Sequence, residues 1–167
     1  YFQETIISKQ SKYAFLKQID AKIVGNLLYL RFGYETGNAS GHNMTTFASD
    51  QLAEAILTLY PELDYISVSG NYCTDKKVSA VNSILGRGKH VIAEITIPRE
   101  IVEQSLRTTP EKIVDLNIKK NLIGSIASGG LLTANAHYAN MLLAFYLATG
   151  QDAANIVEGS QGITHCE

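Results

Sequence analysis

The chain has 167 residues, of which 46% are hydrophobic and 18% charged. That is enough for one compact domain, or one and a half sharing a core, and too apolar for a disordered tail. Fourteen basic residues against sixteen acidic ones leave a net charge of −2, so no global field draws the chain to nucleic acid or anionic lipid. The longest strongly apolar stretch, around Met141–Ala148, falls far short of the roughly twenty residues a membrane span needs. No signal-peptide pattern is visible, and two cysteines, Cys73 and Cys166, do not make a disulfide framework. The resulting expectation is a cytoplasmic α+β segment without membrane or nucleic-acid contact.

In chain order, Tyr13, Leu16 and Ile19 at three-residue spacing predict a short amphipathic helix over 8–19. Alternation from Lys22 to Phe32 predicts a half-buried strand. A loop with two glycines, Thr36 to Asn43, leads into a helix marked by Met44, Phe47, Leu52, Ile56 and Tyr60, ended by Pro61. Tyr65–Val68 reads as a second strand, and His90–Pro98 alternates most clearly of all. Ile101–Leu106 reads as a short helix, and Thr109-Pro110 starts another. A long apolar helix over Ala134–Thr149 closes at Gly150. A composition shift near residue 67 separates a strand–helix–strand part, 1–67, from a glycine- and alanine-rich helical part, 68–167.

The densest chemistry is Asp75-Lys76-Lys77, at the end of a polar loop holding Ser69, Asn71 and Thr74. Three adjacent charges make either a solvated turn or a fixed cation suited to an oxyanion forming on a carbonyl, with a second lysine beside it suited to hold a substrate carboxylate. The loop before residue 43 is either a plain turn or an anion site at a helix N-terminus. His137 and Asn140, one helical turn apart, are either satisfied core polar groups or ligand contacts. Asp152, two residues past Gly150, has the position of an N-cap. Gly86-Arg87-Gly88-Lys89 reads as a hairpin turn, and no residue cluster has metal-ligand spacing.

Three separated strings, Ser67 to Lys77, Asn135 to Asn140 and Gly150 to Ala154, together resemble the catalytic domain of 3-hydroxy-3-methylglutaryl-coenzyme A reductase, closer to its eukaryotic and archaeal branch. The resemblance covers essentially the whole chain. It implies a small ferredoxin-like antiparallel-sheet nucleotide-binding domain, four-stranded in the family, joined to part of a helical large substrate domain. It also implies a homodimer, and an NADPH-dependent reduction of the thioester to mevalonate and coenzyme A.

By the same resemblance Lys76 is the catalytic cation and Asp152 its carboxylate partner. Ser69, Asn71, Asp75, Lys77, Lys120 and Asn140 contact the substrate. Ser105, Leu106, Arg107 and His137 lie along coenzyme A. Ser11, Lys12 and Tyr13, with the loop Asn38, Ala39, Ser40, Gly41, His42 and Asn43, hold the NADPH; Ala39, Gly41 and Asn43 match the family's loop. The glutamate motif and C-terminal histidine that the family also uses do not occur in these residues, so the chain reads as a catalytic-domain fragment with little turnover alone. The rival expectation is a non-catalytic nucleotide- or coenzyme A-binding module on the same fold.

Overall fold

The computed structural model describes residues 1–167. They form two compact units, Tyr1–Cys73 and Thr74–Glu167.

The first unit begins with a wide turn of helix, Gln3–Ile7, that runs into α1, Ser8–Gln10. The predicted helix over 8–19 stops there, because Phe15–Val24 is strand β1, paired antiparallel with β2, Leu27–Glu35. Three apolar residues at helical spacing were a weaker determinant than a nine-residue partner strand. Gln3 fixes the changeover: its Oε1 accepts from the Leu16 amide at 2.7 Å, and its Nε2 donates to the Ala14 carbonyl at 3.2 Å. The strand expected over Lys22–Phe32 is the end of one strand and the start of the next. Between them, Gly25-Asn26 makes a two-residue turn, with Val24 opposite Leu27 and Gly25 at φ 61°.

Helix α2, His42–Leu59, follows and ends before Pro61 as expected. It lays Ala48 and Leu52 against Ile7 and Ala14, with Leu16, Phe32, Tyr34 and Met44 packed around them. Ile7 and Leu52 are fully buried, each contributing about 2 kcal/mol by removing apolar surface from water. The Tyr34 hydroxyl meets Ser49 Oγ at 3.1 Å. Burial pushes the Tyr34 phenol pKa upward.

Tyr65–Val68 is not a strand, and neither is His90–Pro98. Alternation supplies two faces, but a strand also needs a ladder partner, and the sheet consists of β1 and β2 alone. The four-stranded sheet of the family expectation is therefore a two-stranded hairpin in these residues, within an α+β chain. Val91, Ile92 and Ile95 are correspondingly exposed.

The second unit contains α3 (Ala80–Leu85), α4 (Arg99–Ser105) and α5 (Pro110–Leu116). The predicted start of α5 holds: Thr109 caps it and Pro110 occupies the first turn. Helix α5 continues through a wider-wound stretch, Asn117–Gly124, into α6, Ser125–Ala127. Helix α7 spans Tyr138–Thr149, four residues shorter at its start than predicted, because His137 takes a left-handed conformation at φ 66°. Gly150 ends it, also left-handed, and the Gln151 amide donates to the Tyr146 carbonyl at 2.8 Å. A 3-10 turn, Ala153–Asn155, then leads to α8, Ile156–Gly159.

Polar ties hold this unit together. Asn135 Nδ2 donates to the Ser160 and Gly162 carbonyls, and Asn117 Nδ2 to that of Thr164. Gly162 and Thr164 donate backbone N–H groups to Leu132 and Ala134. Gly159 lies so close to α7 that a Cβ there would come within 2.7 Å of Leu142 Cδ2, so this end of α8 rests directly on α7. No helix in the chain is long and apolar enough to cross a membrane.

Candidate functional site

The turn at Asp75-Lys76-Lys77 is built by an asparagine. Asn82, on α3 and almost fully buried, donates its amide to the Thr74 and Lys77 carbonyls at 2.8 and 3.2 Å. This closes the turn on both sides of Lys76. Lys76 itself sits at φ 57°, a left-handed conformation that costs a side-chain-bearing residue about 1–2 kcal/mol. Such strain persists only where the surroundings over-determine it.

The Lys76 ammonium meets Asp152 Oδ2 at 2.5 Å, each side chain a little over one-third exposed. The two residues are 76 positions apart, and the end of α7 delivers the second of them. Gly150 turns the chain back, and Asp152 Oδ1 then accepts from the Ala154 amide at 3.0 Å as N-cap of the 3-10 turn. Asp152 therefore caps the 3-10 turn with one oxygen and pairs with the Lys76 ammonium through the other. The hydrogen bond from Asp152 raises the Lys76 pKa, opposed by partial burial and assisted by the charges of Asp152, Asp75 and Glu158. Lys76 is thus held as a cation throughout the neutral range. An ion pair this exposed adds little to stability; its consequence is where the charge sits.

Two further groups complete the cluster. Arg87 pairs with the Asp75 carboxylate and lies 3.8 Å from Glu158 Oε1. Glu158 Oε1 also accepts from the backbone N–H of Lys76 at 3.1 Å. The Lys77 ammonium bends back to the Asp75 carbonyl at 3.1 Å. Sequence reasoning missed Arg87 and Glu158. Arg87 lay inside 86–89, expected to be a hairpin turn but flanked by no strand in the structure; Glu158 gave only the faint signal of a lone acid in the apolar run Ile156-Val157-Glu158.

Lys120 is exposed on the wide-wound stretch, and Asn140 lies in the first turn of α7, its amide 3.3 Å from His137 Nδ1. Neither shares a hydrogen bond or ion pair with Lys76. Ser105, Leu106 and Arg107 form the exposed end of α4, with Arg107 left-handed at φ 52°.

Ser69 and Asn71 belong to the first unit. There Gly70 approaches the Tyr29 ring closely enough that a Cβ would lie 3.2 Å from it, and Tyr72 receives the Arg31 guanidinium over its face at 4.8 Å. Asn71 is left-handed at φ 55°. The structure also joins the two segments expected to hold a nucleotide. Ser11 Oγ donates to Met44 Sδ at 3.1 Å and accepts from the Tyr13 amide, so 11–13 lies against the first turn of α2. That turn has no side-chain cap, and its N-cap Gly41 is at φ 80°. A Cβ on Gly41 would come within 2.6 Å of Thr36 Cγ2, whose hydroxyl is already bonded to the Ala39 carbonyl. Lys12 and Tyr13 are exposed beside it, as are Asn38, Ala39, Ser40 and Asn43, while His42 is half-buried. Backbone donors, a helix dipole and a lysine in one place suit a phosphate.

A family model described as hydroxymethylglutaryl-coenzyme A reductase matches residues 2–167. The 3-hydroxy-3-methylglutaryl-coenzyme A reductase of Pyrococcus abyssi is 52% identical over 167 residues, all of this chain and 41% of that protein. That of Methanothermobacter thermautotrophicus is 52% identical over 158 residues, 94% of this chain and 39% of the relative. A eukaryotic relative, from Strongylocentrotus purpuratus, is 47% identical over 157 residues but 17% covered. The chain thus spans about two-fifths of the length of its archaeal relatives. It belongs to the hydroxymethylglutaryl-coenzyme A reductase family.

Proposed function

We propose that the full-length protein carrying this chain reduces 3-hydroxy-3-methylglutaryl-coenzyme A to mevalonate and free coenzyme A, using two NADPH, in the mevalonate route to isoprenoids. The observation that carries this reading is the ammonium of Lys76, set by Asp152 at 2.5 Å on a turn with a strained backbone. Addition of a hydride to a thioester carbonyl carbon drives the C=O electron pair onto oxygen. A preorganised cation stabilises that charge where it develops, an effect on the order of 10²–10³ in rate for one donor. Collapse breaks the C–S bond, the thiolate takes a proton, and the aldehyde left behind accepts a second hydride at the same carbon. Lys76 faces the same demand twice. Two hydrides and two protons convert one thioester to one alcohol and one thiol.

The chain's own residues divide the remaining work. Ser69, Asp75 and Lys77 hold the carboxylate end of the substrate, Asn71 also contacts it, and Lys120 and Asn140 reach its reacting part. His137 and the Ser105–Arg107 corner line the coenzyme A arm. NADPH, when bound, supplies hydride. Its phosphates suit the uncapped start of α2 at Gly41–Asn43, beside Ser11, Lys12 and Tyr13 and the loop Asn38–Ser40. The small nucleotide-binding part is 1–67 and the substrate part 68–167, working as a homodimer in the cytoplasm.

Incubating the full-length protein with the thioester and NADPH tests this: two NADPH should be oxidised per coenzyme A thiol released, and Lys76→Ala should abolish turnover. Undiminished turnover in that variant refutes the reading. Coenzyme A binding without NADPH oxidation by the unmutated protein would favour a non-catalytic binding module instead.

A further inference from the structure

We infer that Glu158 is a positioning residue for Lys76: it grips the lysine's backbone rather than its ammonium, and so sets where the cation points. The inference rests on the proposed role of Lys76. Three observations carry it. The Glu158 side chain is only 6% exposed, so its carboxylate is a built part of the unit and not a surface charge. Its Oε1 accepts the Lys76 N–H at 3.1 Å, across 82 residues of sequence, at the one position in the Asp75–Lys77 turn where φ is positive. Its Oε2 is buried and has no hydrogen-bond partner, a cost that a purely structural glutamate would have no reason to carry.

The surrounding charges show how the grip works. Arg87 lies between Glu158 and Asp75, so one guanidinium couples the acid under Lys76 to the acid just before it. Asp152 holds the tip of Lys76 from the end of α7, and Glu158 holds its root from α8. Two contacts on one residue, one to its backbone N–H and one to its ammonium, fix a vector; either alone leaves the long lysine stem free to swing. The close approach of Gly159 to Leu142 and Tyr146 on α7 keeps the root contact in register with the tip contact.

The test compares Glu158→Ala, Glu158→Gln and Lys76→Ala in the full-length protein, reading kcat, KM for thioester and NADPH, the pH dependence of kcat, and the melting temperature. Glu158→Ala should lower kcat on the order of 10²-fold, the cost of displacing a reacting group by about 1 Å, with both KM values little changed. Glu158→Gln keeps an acceptor for the Lys76 amide and should recover most of that loss. It lacks the negative charge that favours the Lys76 ammonium, so the fall in kcat as Lys76 deprotonates should still set in at lower pH than in the unmutated protein. If Glu158→Ala misfolds, Glu158→Asp decides: it keeps the charge but withdraws the acceptor from the Lys76 N–H, so kcat should fall with both KM values unchanged, and a wild-type kcat overturns the inference. Wild-type kcat and pH dependence in Glu158→Ala and Glu158→Gln, with only the melting temperature lowered, overturns the inference while a dead Lys76→Ala leaves the proposed function standing. An active Lys76→Ala overturns the proposed function itself.

Discussion

In the first unit, the segments that suit a nucleotide are placed by an apolar core and by backbone geometry. Ile7, Ala14, Ala48 and Leu52 lock α2 onto the hairpin, and the start of α2 at Gly41 then presents backbone donors at its end. In the second unit, the Asp75–Lys77 turn has little apolar material beneath it. Val102 and Ala134 are the buried apolar side chains there, alongside buried Asn82 and Asn117. Its placement comes from Asn82, Arg87, Asp152 and Glu158, all polar. Apolar burial is tolerant of small shifts and insensitive to pH. A polar network fixes direction more sharply, and fails when any one partner is lost. The proposed anion cradle of backbone amides can use the first; the cation proposed to meet a forming oxyanion needs the second.

The difference can be broken from either side. Leu52→Ala, in the core of the first unit, should cost about 2–5 kcal/mol, read by denaturant unfolding of the full-length protein. A loss below 1 kcal/mol would mean that α2 is held by something other than this core. Gly41→Ala should cost about 1–2 kcal/mol, because the left-handed backbone disfavours a Cβ and Thr36 already fills the space. It should also raise KM for NADPH; an unchanged KM would remove the start of α2 from the nucleotide site.

Asp152 separates its two duties by substitution. Asp152→Ala loses both the cap and the ion pair, the cap being worth about 1 kcal/mol. Asp152→Asn keeps an acceptor for the Ala154 amide, so stability should hold while kcat falls. Equal loss of stability in both variants would show that the cap was not the contact that mattered. The smallest effect concerns α5. The Arg99 guanidinium holds the Glu111 carboxyl pKa down to about 2. A depressed carboxyl stabilises the fold above its unfolded pKa and loses that contribution as pH falls toward 2. Both groups are exposed, so Glu111→Gln should leave the melting temperature at neutral pH nearly unchanged and only slightly flatten its decline in acid.

The same contrast explains what was legible in the sequence. Local signals were reliable: Pro61 ends α2, Thr109-Pro110 starts α5 and Gly150 closes α7. Each of these acts on backbone within one turn of itself. Pairing was not legible. The segment 8–19 carries helical spacing yet gives five of its twelve residues to β1, because β2 lies opposite. His90–Pro98 alternates well and pairs with nothing in these residues. Gly25-Asn26 was a usable hairpin signal that the longer alternation concealed. At the site, Asp75-Lys76-Lys77 stood out as a charge cluster and Asp152 through resemblance, and the structure brings Lys76 and Asp152 together. Arg87 and Glu158 did not stand out, since a buried acid contacting an amide 82 residues away leaves no local trace.

The charge state of Lys76 is the most direct test. With lysine Cε labelled in the full-length protein, and the Lys76 signal assigned by its loss in Lys76→Arg, an NMR pH titration reads that ammonium alone. A lysine whose pKa is raised by folding contributes stability below its unfolded pKa and loses it as pH rises through the folded value. The signal should therefore titrate above an ordinary lysine in the unmutated protein, and move to lower pH in Asp152→Asn. A Lys76 that titrates identically with and without the carboxylate at position 152 would contradict the account.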